Sequence, residues 1–327
     1  VSATELTVAE ALNQALHEEM SADSSVIVLG EDIASSDGLF KVTAGCLERF
    51  GPDRVIDTPI SEAGIVGMGI GAALVGCRAV VEVQIFDFVT LMMDQIVNHA
   101  AKWRYMSGGQ ASVPLVVRGP VASGVGQAAQ HSQSLESWFV HVPGLVVMMP
   151  SCAADAKGLL KSAIRDDNPV IFLEKRLLYA ERSSVPEGEW LVPIGVAEIK
   201  RSGRDATVVA TGSAVGLALE AAIRLEEAGI SIEVIDPRTL KPLDIETIAA
   251  SVRRTARLVV VNEGARTGGY ASEIVAHLLD EAFDHLDAPP IRVTARDIPM
   301  PSEASLERAV LPGVQDVVDA VKKVVAY

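Results

Sequence analysis

Cysteine is scarce in this chain: Cys46, Cys77 and Cys152 are the only three. None forms a C-x-x-C pair and no Cys/His cluster has zinc spacing, which argues against a disulfide framework and a structural zinc and for a reducing compartment. Positive charge is also short. Against 43 Asp and Glu there are 28 Lys and Arg, a net charge of −15. Nucleic-acid binding works by neutralising phosphates with Lys and Arg, so that partner class is a poor fit. Long apolar runs are missing as well. Ile65–Cys77 has 13 residues, too few to span a bilayer, and predicts a buried helix. No G-x-S-x-G elbow and no P-loop occur. The glycine series in "GMGIGAALVG" starts inside a helix pattern, not after the first strand, so it is no dinucleotide fingerprint.

What is present is apolar and acidic. Of the 327 residues, 49% are hydrophobic, and the mean hydropathy of +0.30 is high, which points to large buried or subunit-facing surfaces. The length fits two domains. The N-terminal stretch "VSATELTVAEALNQALHEEM" reads as an amphipathic helix and not as a signal peptide. Strands are predicted at 25–32, 53–59, 78–86, 113–120, 144–151 and 168–176, with helices at 88–106 and 152–167, the latter capped by Ser151. Several of the strands are continuously apolar, as in parallel sheets covered on both faces. The charged stretch from Tyr179 to about Gly195 carries Pro186, Gly188 and Pro193 and reads as a linker. A second series follows, with strands at 205–213, 230–240, 256–264 and 290–298 and helices at 214–228, 244–253 and 268–284. Such alternation predicts two doubly wound α/β domains, at 1–185 and 204–327, joined by 186–203.

One acid stands out. In "DTPISEAGIVGMGIGAALVG", Glu62 opens a glycine-rich apolar run, and no other charge appears before Arg78. Ser61 is placed to cap a helix starting near Ala63, which puts Glu62 in its first turn, at the positive end of the dipole. Gly67 and Gly71 fall on one face, where another helix can approach closely. The plain alternative is a tightly packed helix with an acid stabilising its start.

The same stretch, continued through "VVEVQIFDFVTLMMDQIVNHAAKWRYMSGG", "VPLVVRGP", "AAQHSQSLESWF", "DAKGLLKSAIRDDNPVIFLE" and "DPRTLKPLD", resembles the β subunits of the first component of 2-oxoacid dehydrogenase complexes. These act in the pyruvate, branched-chain and acetoin complexes. The resemblance runs in register over nearly the whole chain. It implies a transketolase-like pyrimidine-binding domain followed by a transketolase C-terminal domain, with thiamine diphosphate as cofactor. The family's "ISE" glutamate, here Glu62, hydrogen-bonds the pyrimidine ring nitrogen and favours the imino tautomer. That tautomer activates the thiazolium carbon for attack on a 2-oxo group, and the cofactor absorbs the electrons as carbon dioxide leaves. Burial is expected to raise the Glu62 pKa against the pull of the helix start.

The resemblance extends to other positions. Phe88 matches an aromatic that packs on the aminopyrimidine, with Ile60 and Leu91 beside the same ring; the alternative for Phe88 is an ordinary core aromatic. Leu91 stands where some pyruvate-type members have a polar residue, so it does not select pyruvate over other 2-oxo substrates. His131, after Gly119, Gly124 and Gly126 in what reads as a flexible loop, is the acid–base candidate. The family places it at the site's mouth, aiding acyl transfer to lipoamide, and Gln130 and Ser132 are candidates to orient its ring. Backbone carbonyls of Leu115, Ala163, Ile164, Asp166 and Asn168 match a structural potassium site; the alternative is a helix end before Pro169.

The diphosphate's magnesium site begins with G-D-G in this superfamily, and the chain has none. The resemblance therefore implies an α subunit that supplies magnesium and diphosphate binding in an α2β2 heterotetramer. It also implies docking on a lipoyl acyltransferase core, without nucleic acid or membrane. The compartment would be the bacterial cytoplasm or, after removal of a transit peptide, the mitochondrial matrix. Two alternatives share the fold: a transketolase-type two-carbon transfer subunit and a non-catalytic assembly subunit.

Overall fold

The structure, a computed structural model, describes residues 3–327. It divides into two units. The first holds the residues up to Ala122 together with Trp138–Ile194, and the second holds Ser123–Ser137 together with Gly195–Tyr327.

The first unit begins with a strand, β1 (Ala3–Thr7), where a continuous helix was expected. The helix α1 (Val8–Ala22) starts only after Thr7, which forms a reciprocal capping box with Glu10. A parallel sheet follows, made of β2 (Val26–Gly30), β3 (Val55–Asp57), β4 (Arg78–Glu82), β5 (Leu115–Val121), β6 (Val146–Met148) and β7 (Val170–Lys175). Within the unit their order is β6-β7-β5-β4-β2-β3. β1 pairs antiparallel with β8 (Arg182–Pro186).

Helices cover both faces. After the short α2 (Cys46–Phe50) come α3 (Glu62–Leu74), α4 (Ala101–Met106), α5 (Glu136–His141) and α6 (Ala153–Arg165). On one face α1 and α6 pack Leu12, Leu16, Leu159 and Leu160 over Val28, Val80, Val116 and Phe172. Ion pairs stitch these two helices together: Glu18 holds Lys157 (2.8 Å) and Lys161 (2.7 Å), and Glu19 holds Arg165 (2.7 Å). Ser151 does not cap α6. The cap position is Cys152, and the Ser183 hydroxyl accepts from the Ala153 amide at 3.0 Å.

The stretch expected to be a linker is built into this unit. Residues 182–186 form β8, Glu189 pairs with Lys161 (2.9 Å) and Arg165 (2.7 Å), and Trp190 Nε1 donates to the Ala154 carbonyl (2.9 Å). A Cβ added at Gly158 would lie 2.6 Å from Val192, so α6 has a glycine where this strap crosses it. The prolines and glycines that read as a linker are the turns of a strap.

On the opposite face α3 lies against the sheet through Gly69, where a Cβ would sit 2.9 Å from Val81 and 3.0 Å from Leu115. The predicted helix 88–106 is three pieces: a 3-10 segment (Phe86–Met92), a π-helical turn (Gln95–Ala100) and α4. Phe86–Thr90 are all residues of low helix propensity, which suits the tighter opening. Both the 3-10 segment and the π turn pack on α3.

The second unit has β9 (Glu198–Arg201), β10 (Ala206–Ala210), β11 (Ile232–Asp236), a short β12 (Thr239–Lys241), β13 (Leu258–Ala265) and β14 (Ile291–Ala295). Its sheet runs β14-β13-β10-β11-β9, parallel except for β9. The helix α7 (Ala214–Glu226) packs with the C-terminal helix α11 (Val314–Val325). Across the sheet α8 (Ile245–Thr255) packs with α9 (Tyr270–Ala282), and α10 (Ala304–Val310) precedes α11. Residues 198–201, placed in the linker by the sequence reading, are thus the edge strand of this sheet.

Two electrostatic features of the first unit bear on its function. Arg118 on β5, 1% exposed, forks onto Glu174 through two bonds of 2.6 Å and also bonds Glu82. Tyr179 donates to Glu174 at 2.5 Å. One cation thus serves two buried carboxylates. Burial, only partly offset by Arg118, pushes the Glu82 carboxyl upward. Replacing Arg118 by Met strands both acids, and is expected to cost about 3–5 kcal/mol in urea unfolding; a loss under ~1 kcal/mol would show the cluster to be dispensable.

Glu31 follows β2 directly at the carboxyl end of the sheet. Its pKa is raised, first by burial and then by the negative charges of Glu62 and Asp32. A carboxyl raised on folding stabilises the fold when protonated and costs stability as pH rises through its folded pKa. Glu31→Gln is therefore expected to raise Tm at pH 7, with the gain fading below about pH 4. A Tm gain of the same size at both pH values would contradict this.

Candidate active site

The site is built on the start of α3. Its first residue is Glu62, and Ser61 occupies the cap position without lending its hydroxyl to the helix. The Ser61 carbonyl accepts from Ile65 N at 2.8 Å, which closes the first turn. The amides before Ile65 have no intrahelical partner, so donors and positive dipole gather around Glu62. Its side chain is half-buried, not buried as the sequence implied. Among the described residues no hydrogen bond or ion pair engages its carboxylate. What faces it electrostatically is a second acid, Glu31. Among the described residues no cation pairs with the Glu62 carboxylate.

The surface nearby is apolar and open. Ile60 is 80% exposed and Leu91 58% exposed. Phe88 is half-buried, its amide donating to Ile85 at 3.0 Å. The aromatic that fills the core is Phe86, in edge contact with Phe139 at 5.7 Å. Phe88 and Leu91 lie on the 3-10 segment packed against α3. The Thr58 hydroxyl and the Gln95 side-chain oxygen are buried without partners.

The face of α3 away from the sheet is unfilled, so the helix is buried on one side only. Ile65, Val66, Gly69, Ile70 and Ala73 point inward. Gly64, Gly67, Met68, Gly71 and Leu74 are exposed. A Cβ at Gly71 would meet nothing, and one at Gly67 only Gln95 at 4.0 Å. Packing among the described residues gives no reason for those two glycines.

These residues fit a pyrimidine-type ring: a carboxylate with no hydrogen-bond partner among the described residues, apolar neighbours and two buried orphan polar atoms. They do not fit a metal–diphosphate group. Among the described residues no set of three or more His, Cys, Asp and Glu is placed to hold a metal ion. The expected potassium carbonyls are partly taken. Arg78 Nη1 donates to the carbonyls of Ile164 and Asp166, both at 3.1 Å, while its Nη2 pairs with Asp167 at 2.7 Å. The Ala163 carbonyl accepts from Asp166 N at 3.3 Å. Arg78 thus occupies one lone pair on each of the Ile164 and Asp166 carbonyls.

His131 is half-buried and belongs to the second unit, in the segment Ser123–Ser137. The glycines before it do not loosen the loop. Gly119 is in β5, where a Cβ would meet the Val83 carbonyl at 2.3 Å. Gly124 and Gly126 take φ of +88° and +75°, which L side chains disfavour. Their amides donate to Glu307 at 2.8 and 2.9 Å. Gln130 is exposed, and the Ser132 hydroxyl is buried without a partner, so it does not orient the ring. Sequence reasoning missed Glu31 and Glu307. The position of Glu31 just after a parallel strand was a usable signal; a buried acid on a short amphipathic helix leaves none.

A concavity of about 590 Å³ lies over the α1–α6 ion pairs, lined by Glu18, Glu19, Lys161 and Arg165. Lys161 and Arg165 are already paired with Glu18 and Glu19.

Residues 4–182 match the transketolase pyrimidine-binding domain family, and residues 195–317 match the transketolase C-terminal domain family. The chain is 50% identical over 320 residues to the pyruvate dehydrogenase E1 component subunit beta of Rhizobium meliloti, covering 98% of this chain and 70% of that one. It is 50% identical over 325 residues to the mitochondrial subunit beta-1 of Arabidopsis thaliana, covering 98% and 90%. For the Rickettsia felis subunit the figures are 50% over 323 residues, covering 99% of each. A solved split-gene transketolase, described as an inactive β4 tetramer, superposes with a TM-score of 0.78 at 24% identity, over 98% of each chain, and shares the fold. With both domain families matched in order and half of all residues shared over almost the full length, the chain belongs to the β subunits of the thiamine-diphosphate-dependent first component of 2-oxoacid dehydrogenases.

Proposed function

We propose that this subunit supplies the pyrimidine half of the coenzyme site for the oxidative decarboxylation of pyruvate, with the acyl group passed to lipoamide. The substrate rests on the names of the relatives, all of them pyruvate dehydrogenase subunits. The role rests on one observation: an unpaired Glu62 carboxylate at the start of α3. When bound, thiamine diphosphate supplies the electron sink for loss of carbon dioxide.

The rest is done by side chains. Glu62 holds a proton at the pyrimidine ring nitrogen, in a hydrogen bond strengthened once a partner excludes water from its half-buried carboxylate. Phe88, Ile60 and Leu91 form the apolar wall that orients the ring. His131 serves as the proton carrier during acyl transfer.

The other half of the site comes from an α subunit, which binds magnesium and diphosphate within an α2β2 heterotetramer. The absence of G-D-G from the sequence and the unfilled Gly67/Gly71 face of α3 support that division. Close helix approach is what such small residues permit. A lipoyl acyltransferase core is the acceptor of the assembled enzyme. Among the described residues no helix is long and apolar enough to cross a membrane. The bacterial and mitochondrial relatives support placing the protein in the bacterial cytoplasm or the mitochondrial matrix.

The experiment is co-expression with the α subunit. Calorimetry is expected to show coenzyme binding by the assembled protein and none by this chain alone. In a panel of 2-oxo acids and acetoin, pyruvate is expected to give the highest kcat/KM. Gly71→Leu is expected to leave the chain's circular dichroism unchanged and its Tm no lower, because nothing lies near the new side chain and leucine favours the helix, yet to abolish co-purification of the α subunit. Tight coenzyme binding by the chain alone, or full assembly of Gly71→Leu, would refute the shared site.

A further inference from the structure

In an open doubly wound sheet, ligands settle in the crevice at the carboxyl ends of the strands where the order reverses. In the second unit that point lies between β10 and β13, because β11 follows β10 on one side and β13 flanks it on the other. The crevice is filled by the chain itself. Ser123 donates to Glu263 at 3.0 Å, and Ser213 donates to the same carboxylate at 2.6 Å. Asn262 Nδ2 donates to Glu136 at 2.9 Å and to Thr211 at 3.0 Å, and Asn262 Oδ1 accepts from Gly264 N at 2.8 Å. The segment Ser123–Ser137 is thereby fastened at both ends.

A third fastening lies between these two, just before His131. Gly124 and Gly126, both at positive φ, aim their amides at one carboxylate, Glu307, which is 3% exposed. Successive amides turned inward in this way form an anion cup, and here the anion is the protein's own. Charge-assisted bonds to a buried carboxylate are among the stronger ones available to a loop. The turn they hold is five residues from His131, and Ala128, at φ +62°, redirects the chain between them.

The geometry points to Glu307 as a positioning residue for His131, acting through the Gly124–Gly126 turn. The loop that carries the acid–base group is then set by a helix of the C-terminal domain, although it interrupts the pyrimidine-binding domain in sequence. This inference rests on the acyl-transfer reading of His131 given above. Glu307 touches no reacting atom. Its effect is on where the imidazole stands.

The test uses the assembled enzyme with Glu307→Ala, Glu307→Gln and His131→Ala. Hydrogen exchange reads the latch directly. Protection of the Gly124 and Gly126 amides is expected to fall by roughly 10- to 100-fold in Glu307→Ala and by less in Glu307→Gln, which keeps one acceptor. Transfer to a lipoyl domain is expected to fall by at least ~10-fold in Glu307→Ala, with decarboxylation to an artificial acceptor within ~3-fold of wild type. Combined with His131→Ala, Glu307→Ala is expected to add no further loss, since the two act as one unit. Unchanged protection overturns the latch. Faster exchange with normal transfer, or losses that multiply with those of His131→Ala, overturns the positioning role. If His131→Ala alone spares transfer, the acyl-transfer reading fails and takes this proposal with it, and that arm tells the two failures apart.

Discussion

Glu62 stands in the first turn of α3 with only a helix dipole and open amides to hold its charge, and with a second acid, Glu31, facing it. Several more deeply buried acids are matched. Glu174 and Glu82 share Arg118, Glu19 holds Arg165, and Glu307 accepts two amides. A half-buried carboxylate without such a partner is costly unless a ligand completes it. The organisation of the first unit can be read from that requirement: a parallel sheet delivers α3, and the 3-10 segment that carries Phe88 and Leu91 packs on the same helix.

The glycines of α3 divide the helix by function. Gly69 is fixed from inside, since any side chain would strike Val81 and Leu115. Gly67 and Gly71 have no inward reason to be glycine and cost helix stability where they stand. On the proposed shared site, their explanation lies with the partner, as does that of the exposed Ile60 and Leu91. On the proposed reading, the surface that carries the pyrimidine half of the coenzyme site also offers a helix face to a partner. The two deficits fit one subunit interface.

Much of this was legible in the sequence. The alternation of apolar strands with helices gave both doubly wound domains, and Glu62 announced itself as a single charge before an apolar run. Other features were hidden for definite reasons. The N-terminal strand looked helical because its alternation is too short to outweigh the following helix pattern. Pro186, Gly188 and Pro193 read as a linker because turn residues mark a packed strap and a free tether alike. Gly124 and Gly126 read as flexibility, yet positive φ and a buried acceptor make the turn rigid. Sequence spacing could not show that Arg78 reaches the carbonyls of Ile164 and Asp166, because that contact joins residues 86 and 88 positions apart.

The central claim is that the Glu62 carboxylate activates the coenzyme. The most direct measurement is the rate at which the reactive thiazolium carbon exchanges its proton with solvent in the assembled enzyme, without substrate, followed by quenched-flow NMR. Glu62→Gln is expected to slow that exchange by at least ~100-fold while the coenzyme stays bound. Exchange at the wild-type rate in that variant would contradict the account.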